Sequence, residues 1–450
     1  MKYLFNEAKG GYIFQCHMFN VICLLRLIWL GFLVSGCMLL VFLIPFTVHA
    51  QTFGKVIQPY GSYIFTADDN LLRFRDNQRS DNISDETIRN AIIRKDLFDM
   101  SHRFTGGVIL QKEISRQRLS ANFNYSRVQF ERFGVMDNNL KNFSGNWNWF
   151  LGKQLEGNMG ASYTQSLAPF LFQPGIKSIR TELTEYINAA WRFHPRWRLN
   201  GEFTHYDLGI KAPPDVPRLR FLERTENQFE GGIDYVSSRG TAGRNTIGVL
   251  FRHIDGNFPF EPTSAFVNND YKQNEVMAKI NWDITSKSTF QVRGGWVDRQ
   301  NASFAQRDFS GFNARGFLQW RPTDKTGLTV SGWRETSARQ NLTASYSLNT
   351  GVSLIPYWNI TEKVRMEGDF SYETRNFGDR ITNLTDPELS NALGVHNRIR
   401  NATVRFVYNP YLGLELSASA YHADLKSDSV FGGFNANGAN VNLQYTYGQR

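Results

Sequence analysis

The chain has 450 residues, with 50 Lys and Arg against 41 Asp and Glu, a net charge of +9 and a pI near 9.3. The basic excess is dispersed among acidic residues and forms no stripe on a recognisable module, which argues against nucleic acid as a partner. All three cysteines, Cys16, Cys23 and Cys37, fall in the first fifty residues, so the rest can hold neither a disulfide nor a cysteine metal site.

Lys2, Lys9 and Arg26 precede an uncharged run from Leu27 to Phe46, and Val48-His49-Ala50 then offers residues that a signal peptidase accepts. Residues 1–50 therefore read as an export signal cleaved after Ala50. A retained membrane anchor and a lipoprotein box at Val34-Ser35-Gly36-Cys37 are the alternatives, and Met18 is a second candidate start. Beyond residue 50 no apolar run approaches the ~20 residues of a spanning helix.

From Tyr60 onward the chain alternates with a period of two. A first strand is expected at Tyr60 to Thr66, followed by strands at Phe104 to Leu110, Leu119 to Tyr125, Phe143 to Leu151, Leu155 to Tyr163, Leu183 to Phe193 and Trp197 to Phe203. The next are Phe229 to Tyr235, Ile247 to Phe251 and Val276 to Ile284. The hairpin Ser288 to Pro322 shows the unit in full. Phe290, Val292, Gly294 and Trp296 share one face, opposite Gln291, Arg293 and Gly295. The return arm sets Phe312, Ala314, Gly316, Leu318 and Trp320 against Asn313, Arg315, Phe317, Gln319 and Arg321. Strands at Leu328 to Gly332, Leu348 to Trp358, Val364 to Tyr372, Ala402 to Tyr408, Leu412 to Ala420 and Val441 to Tyr447 complete the series.

Short polar turns recur near residues 115, 152, 195, 240, 286, 324, 361 and 410, and between them lie long polar segments such as Ala67 to Ser101, Asp207 to Thr225, Asp255 to Lys272 and Arg375 to Asn397. That asymmetry belongs to outer-membrane barrels. The expected fold class is all-β: residues 51–450 form a single antiparallel transmembrane β-barrel of about eighteen strands, or sixteen if Tyr60 to Thr66 and a partner lie outside the wall. Its short turns would be periplasmic and its long loops extracellular. Trp147, Trp149, Trp191, Trp197, Trp282, Trp320 and Trp358 lie within about six residues of a short turn on the apolar face, as a membrane-interface girdle requires. Outer-membrane lipid is then a partner and the cell outer membrane the location.

If the apolar face meets lipid, the other face lines a lumen. Arg192, Arg198, Arg252, Lys279, Arg293, Phe317, Arg315, Arg365 and Arg405 are the candidates for a substrate path, the cations binding anionic or sugar-like chains and Phe317 stacking on sugar rings. Interleaved carboxylates such as Glu230, Glu367 and Glu415 allow a plainer reading, a solvated wall of cross-strand ion pairs. The scattered histidines have no paired metal-ligand spacing, and neither HExxH nor GxSxG occurs. No enzyme, metal or cofactor is expected.

The loop Asn301-Ala-Ser-Phe-Ala-Gln-Arg-Asp-Phe-Ser-Gly311 resembles that of the outer-membrane proteins associated with exosortase and PEP-CTERM exopolysaccharide loci, the EpsL-type polysaccharide transporters. Gln306, Arg307 and Asp308 are its most specific part. Tyr63-Ile-Phe-Thr-Ala-Asp-Asp-Asn-Leu-Leu-Arg73 and Phe251-Arg-His-Ile-Asp-Gly-Asn-Phe-Pro259 are similar as well. The resemblance implies export of an exopolysaccharide, with a polysaccharide and the periplasmic parts of an export system as partners. A general or anion-preferring porin is the alternative, and a surface-binding scaffold with a plugged lumen is the third reading.

Overall fold

The computed structural model describes residues 56–77, 83, 85–168, 177–211, 217–237, 245–260, 268–303, 308–338, 346–377, 396–428 and 432–448. They belong to one compact unit, Gly54–Arg450. The export signal and its cleavage position lie outside the described residues.

The strands are β1 (Ile57–Asp68), β2 (Asp99–Ile114), β3 (Gln117–Phe130), β4 (Asn138–Leu151), β5 (Leu155–Leu167) and β6 (Ile179–His194). Then come β7 (Trp197–Lys211), β8 (Arg224–Val236), β9 (Thr246–Asn257), β10 (Tyr271–Thr285), β11 (Ser288–Asn301) and β12 (Phe309–Trp320). The last are β13 (Thr326–Ala338), β14 (Tyr346–Asn359), β15 (Val364–Phe377), β16 (His396–Tyr411), β17 (Leu414–Ser427) and β18 (Phe434–Thr446). Every neighbour in sequence is an antiparallel neighbour in space, and β1 pairs with both β2 and β18, so the 18-stranded sheet closes on itself. Sixteen strands are thereby excluded. Closure leaves no unpaired edge, which is what a sheet inside hydrocarbon requires. Among the described residues no helix is long and apolar enough to cross a membrane.

Register assigns the two faces. Across β11 and β12, Trp296 lies opposite Phe312, Val292 opposite Gly316 and Ser288 opposite Trp320, while Arg293 lies opposite Arg315. Followed from strand to strand, one parity carries nearly all the large exposed apolar side chains, among them Trp296 (59% exposed), Val276 (57%) and Phe229 (54%). A water-facing surface would be penalised for such a band, so it is the lipid face. The other parity faces inward and carries the buried polar residues Asp234, Arg252, Glu275 and Arg299.

The turn end is tight. Gly152 in the β4–β5 turn and Gly413 in the β16–β17 turn have φ of 61° and 85°, a left-handed backbone that glycine adopts without the clash of a Cβ. The loop end carries the one α-helix described, α1 (Glu86–Arg94), in the β1–β2 connection. The Asp85 carboxylate accepts from Ile88 N at its start, Lys95 closes it in the left-handed conformation, and Glu86 and Arg94 match the charges of its two ends. Its buried Ile88 and Ala91 pack with Leu72, Phe74, Phe133 and Met136, the last two from the β3–β4 connection, and with the inward-facing Phe130. Asp99 holds that connection, its carboxylate accepting from Arg132 N (2.9 Å) and Phe133 N (3.1 Å). Each large apolar side chain of the cluster stabilises it by roughly 1.5–3 kcal/mol.

The start of the same connection crosses the inward side of β17 and β18. Arg73 pairs with Asp68 at 2.8 Å and lies over the rings of Tyr421 and Phe434, and the Tyr421 hydroxyl donates to Asp68. Asn70 and Phe74 exchange side-chain and backbone hydrogen bonds of 2.8 Å. The described part of the segment Ala67 to Ser101 is thus fastened to the wall at the loop end.

Candidate functional site

The lumen wall divides into two chemically different halves. From β7 to β17 it carries most of the ionised inward side chains, many of them paired. At the centre Asp234, whose side chain is 0% exposed, accepts from Arg198 Nη2 (2.8 Å) and Asn200 Nδ2 (3.0 Å) through Oδ2, while Lys279 Nζ lies 3.0 Å from Oδ1 as an ion pair outside hydrogen-bond alignment. The absence of a side chain at Gly248 makes this possible, because a Cβ there would stand 2.2 Å from Asp234 Oδ1. Arg252 pairs with Glu230 (2.8 Å) and Glu275 (3.0 Å). Arg315 binds Glu335 through two nitrogens, at 2.6 Å and 3.0 Å, and Arg293 reaches the same carboxylate at 3.6 Å. Arg405 pairs with Glu415 at 2.6 Å, and Arg365 with Glu367 at 2.7 Å.

The other half, from β18 through β1 to β6, is lined by amides and hydroxyls. Asn188 donates to Asn158 (2.8 Å), Tyr186 to Asn146 (2.8 Å), Tyr60 to Asn122 (3.2 Å) and Asn142 to Asn124 (3.0 Å), while Thr105 bonds Ser126 at 2.8 Å. Ionised groups are sparse there. They include Arg103, Glu156 and Arg192, the pair Arg118–Glu113 (2.7 Å) near the turns and the pair Arg180–Glu182 (2.6 Å) near the loops.

The halves meet near the turn end in a cavity of about 690 Å³ lined by Asn148, Asn158, Asn188 and Asn200, the charged Arg116, Arg118, Arg198, Lys279, Glu113, Glu156, Glu202 and Glu230, and Phe150. The charges cancel. Phe150 is unusual, an inward-facing ring 37% exposed in a polar lumen, with the Arg116 guanidinium 5.5 Å from its centre. Arg116 also donates to the Gly152 carbonyl at 2.6 Å, which fixes it beside the ring. An exposed apolar ring among hydrogen-bonding groups is the surface that the C–H face of a pyranose covers, its hydroxyls turned to the amides and carboxylates around it.

Of the sequence candidates, Arg192, Arg198, Arg252, Lys279, Arg293, Arg315, Phe317, Arg365 and Arg405 all stand on the inward face, and all the cations except Arg192 are ion-paired. The cross-strand pairing expected as the plainer reading describes this wall. Phe317 lies with its ring 6.0 Å from Arg315. Gln306 and Arg307 lie outside the described residues, and the Asp308 carboxylate accepts from Asn301 N at 2.7 Å, closing the β11–β12 connection. Trp147, Trp149, Trp191, Trp197, Trp282, Trp320 and Trp358 have outward parity near the turns. Sequence reasoning passed over Phe150, although an aromatic next to Trp149 breaks the alternation and signals an inward ring. Among the described residues no His, Cys, Asp and Glu group could hold a metal ion.

A family model described as "Putative beta-barrel porin 2" matches residues 261–447. The chain is an outer-membrane β-barrel that is similar to a porin family over those residues. No curated protein matches it. Solved structures similar to it include a BenF-like porin from Pseudomonas fluorescens Pf-5, at 8% identity and TM-score 0.45, with 87% of this chain and 98% of that chain covered. OccK2 (OpdF) from Pseudomonas aeruginosa is similar at 7% identity and TM-score 0.43, covering 87% of this chain and 97% of that one. The alcaligin outer-membrane receptor FauA from Bordetella pertussis is similar at 12% identity and TM-score 0.38, covering 86% and 76%.

Proposed function

We propose that the barrel passes saccharide chains across the outer membrane, carrying an exopolysaccharide from periplasmic export components to the cell surface. The observation that carries this reading is the amide and hydroxyl wall that ends in the cavity beside Phe150. A sugar hydroxyl is both donor and acceptor, and so are these groups, so a chain can exchange partners along the wall without leaving a polar atom unpaired. The paired arginines opposite retain unused N–H donors for carboxylates on the polymer. Eighteen strands are enough to leave an aqueous channel. The seven turn-side tryptophans hold the barrel at the inner membrane interface, their indoles spanning apolar and wet layers.

A second reading, a porin for small solutes, is favoured by the β1–β2 connection fastened at the loop end and by the family model. In planar bilayers, purified exopolysaccharide should block the conductance of the exporter, and Phe150→Ala should raise the half-blocking concentration about tenfold, since loss of one ring contact of roughly 1–1.5 kcal/mol corresponds to that factor. Deleting the gene should trap polymer in the periplasm. Normal surface polymer in the deletion strain would reject export and leave the small-solute porin.

A further inference from the structure

Every strand of the closed sheet has two neighbours, but the ladder between β12 and β13 stops half-way. The two strands pair from Trp320 opposite Leu328 up to Ala314 opposite Arg334, and no further. Both nevertheless continue, β12 along β11 as far as Phe309 and β13 along β14 as far as Ala338. In an unbroken ladder Phe312 would face Thr336 and Ser310 would face Ala338. The backbone groups of these four residues that point across the seam therefore lack their strand partner. Arg334 supplies a substitute, its guanidinium donating to the Phe312 carbonyl.

Parity shows where the end of β13 goes. Thr336, Ala338 and, on β14, Tyr346 have the parity of the lipid face, as Val352 and Leu354 do lower on β14. Yet the Thr336 hydroxyl donates to Oδ1 of the inward Asn313 at 3.2 Å, Ala338 is buried with Phe258 and the inward Tyr271 and Ile254, and the Tyr346 ring lies 5.2 Å from that of the inward Phe309. Three residues of one hairpin thus touch the inner side of β9 to β12. The loop end of β13 and β14 leans into the lumen behind β12, and the wall is split where it leaves.

The split stands at the depth of the outer leaflet. At about 2.5 Å of height per residue of a strand tilted by ~40°, Asn313 to Phe309 lie roughly 17–27 Å above Trp320 and its girdle, in an apolar band ~25 Å tall. Phe312 on the edge is 50% exposed, and Trp296 beside it donates to Ser310 at 2.9 Å. Behind the split, in a lumen that is otherwise polar, stand the rings of Phe309, Tyr346, Tyr271 and Phe258. The β4–β5 ladder also ends early, at Phe143 opposite Tyr163, but that seam is sealed. Lys141 N donates to Gln165 Oε1 and Gln165 N to Asn142 Oδ1, both at 2.9 Å, and Leu167 packs on the α1 cluster.

We propose that the β12–β13 seam is a lateral passage between the lumen and the outer leaflet for amphiphiles, gated by the inward-leaning end of β13 and β14. The hydrocarbon chain crosses between Phe312 and Thr336, from the rings behind the seam to the lipid in front of it. The polar head stays in the lumen, where Arg315 and Glu335 pair at 2.6 Å at the foot of the split. Unpaired backbone groups are costly against hydrocarbon, so Arg334 acts as the latch that keeps the resting seam shut to lipid. The inference holds whether the lumen carries saccharide chains or small solutes.

The test uses the full chain in proteoliposomes with a dodecyl maltoside that carries a diazirine on its alkyl chain, the labelled residues being read by peptide mass spectrometry. Label should appear on the inward Phe309, Tyr271 and Tyr346 as well as on the lipid-facing Phe312. The pair Ser310→Cys with Ala338→Cys zips the seam when oxidised, since residues opposite in a ladder have Cα atoms about 5.5 Å apart, which suits a disulfide. It should oxidise at least about tenfold more slowly than Leu318→Cys with Val330→Cys in the intact part of the ladder, single-cysteine variants controlling for Cys16, Cys23 and Cys37. Once the seam is zipped, inward labelling should fall at least about fivefold and return on reduction, while Phe312 stays labelled. Arg334→Gln, which needs no disulfide, should raise inward labelling several-fold. Unheated gel mobility confirms that each variant is a folded barrel. Oxidation as fast as the control pair, no inward label in the parent, or inward label that zipping leaves unchanged would each overturn the proposal, the last because the chain would then enter from the water-filled ends.

Discussion

Replacing Asp234 by Asn changes no volume and removes one charge, at the point where the lumen wall depends on it most. The carboxylate is fully enclosed and faces two cations, Arg198 with 25% and Lys279 with 17% of the side chain exposed. An Asn can offer one oxygen to Arg198 or to Asn200, but its amide nitrogen must then face another donor. Removing one partner of a buried ion pair costs roughly 3–5 kcal/mol, and because both cations can turn toward lumen water the lower end applies, about 3 kcal/mol. The loss should be read from urea unfolding in micelles, followed by tryptophan fluorescence. The same substitution leaves one uncompensated positive charge in the lumen. A unit charge acting over about 4 Å of water is worth about 1 kcal/mol, so the anion-to-cation permeability ratio should rise about fivefold at low salt and return toward the parent value as salt is added. A stability loss under about 0.5 kcal/mol, or a reversal potential that does not move, would show that water already screens Asp234 and that the wall is not organised around it.

Glu335→Gln should act in the same direction at a second place. Arg293 and Arg315 lie directly opposite in register, and Glu335 is the carboxylate that both reach. Without it two guanidiniums face each other, so anion preference should rise several-fold and heat resistance of the unheated gel band should fall. Tyr421→Phe removes the hydroxyl that donates to Asp68 beside Arg73, and should loosen the β1–β2 connection. Proteolysis between residues 69 and 98 in intact cells should become faster, while the mobility of the barrel on gels stays that of the parent.

The strand count was legible because water on one face and lipid on the other impose a period of two on every strand. The ends were not. In β2 the alternation gave Phe104 to Leu110, whereas the strand runs Asp99–Ile114, because beyond the membrane both faces are wet and Met100, Ser101, His102 and Arg103 carry no pattern. The same holds for β9, where Ile247 to Phe251 is the lipid-facing middle of Thr246–Asn257. The inward position of the cations followed from parity alone, but their partners did not. Whether Arg198 finds Asp234 depends on the register of β7 against β8 and on the room left at Gly248, and neither is written in periodicity.

Pairing explains how a wall so rich in arginine can serve as a passage and not as a trap. An unpaired guanidinium in a partly enclosed lumen would bind a carboxylate strongly and release it slowly, whereas conduction needs sites that are each weak and numerous. Here Arg198, Arg252, Lys279, Arg315 and Arg405 already have carboxylate partners, so an arriving anion competes with a bond in place and gains only the difference. The amide half works by the same rule, since Asn158 and Asn188, or Asn124 and Asn142, must exchange a bond with each other for one to the solute. Among the described residues Arg192 lacks such a carboxylate, and Glu202 lacks a cation, its Oε1 accepting from the Thr204 hydroxyl at 3.2 Å. If the rule is right, most single substitutions along the paired wall will change selectivity more than they change the residence time of a saccharide. Arg192→Gln should shorten the residence of an acidic oligosaccharide, measured as the mean duration of single-channel blocks, several-fold more than Arg252→Gln does. Equal shortening by the two would mean that pairing does not weaken the arginines, and that the lumen holds its solute by charge alone.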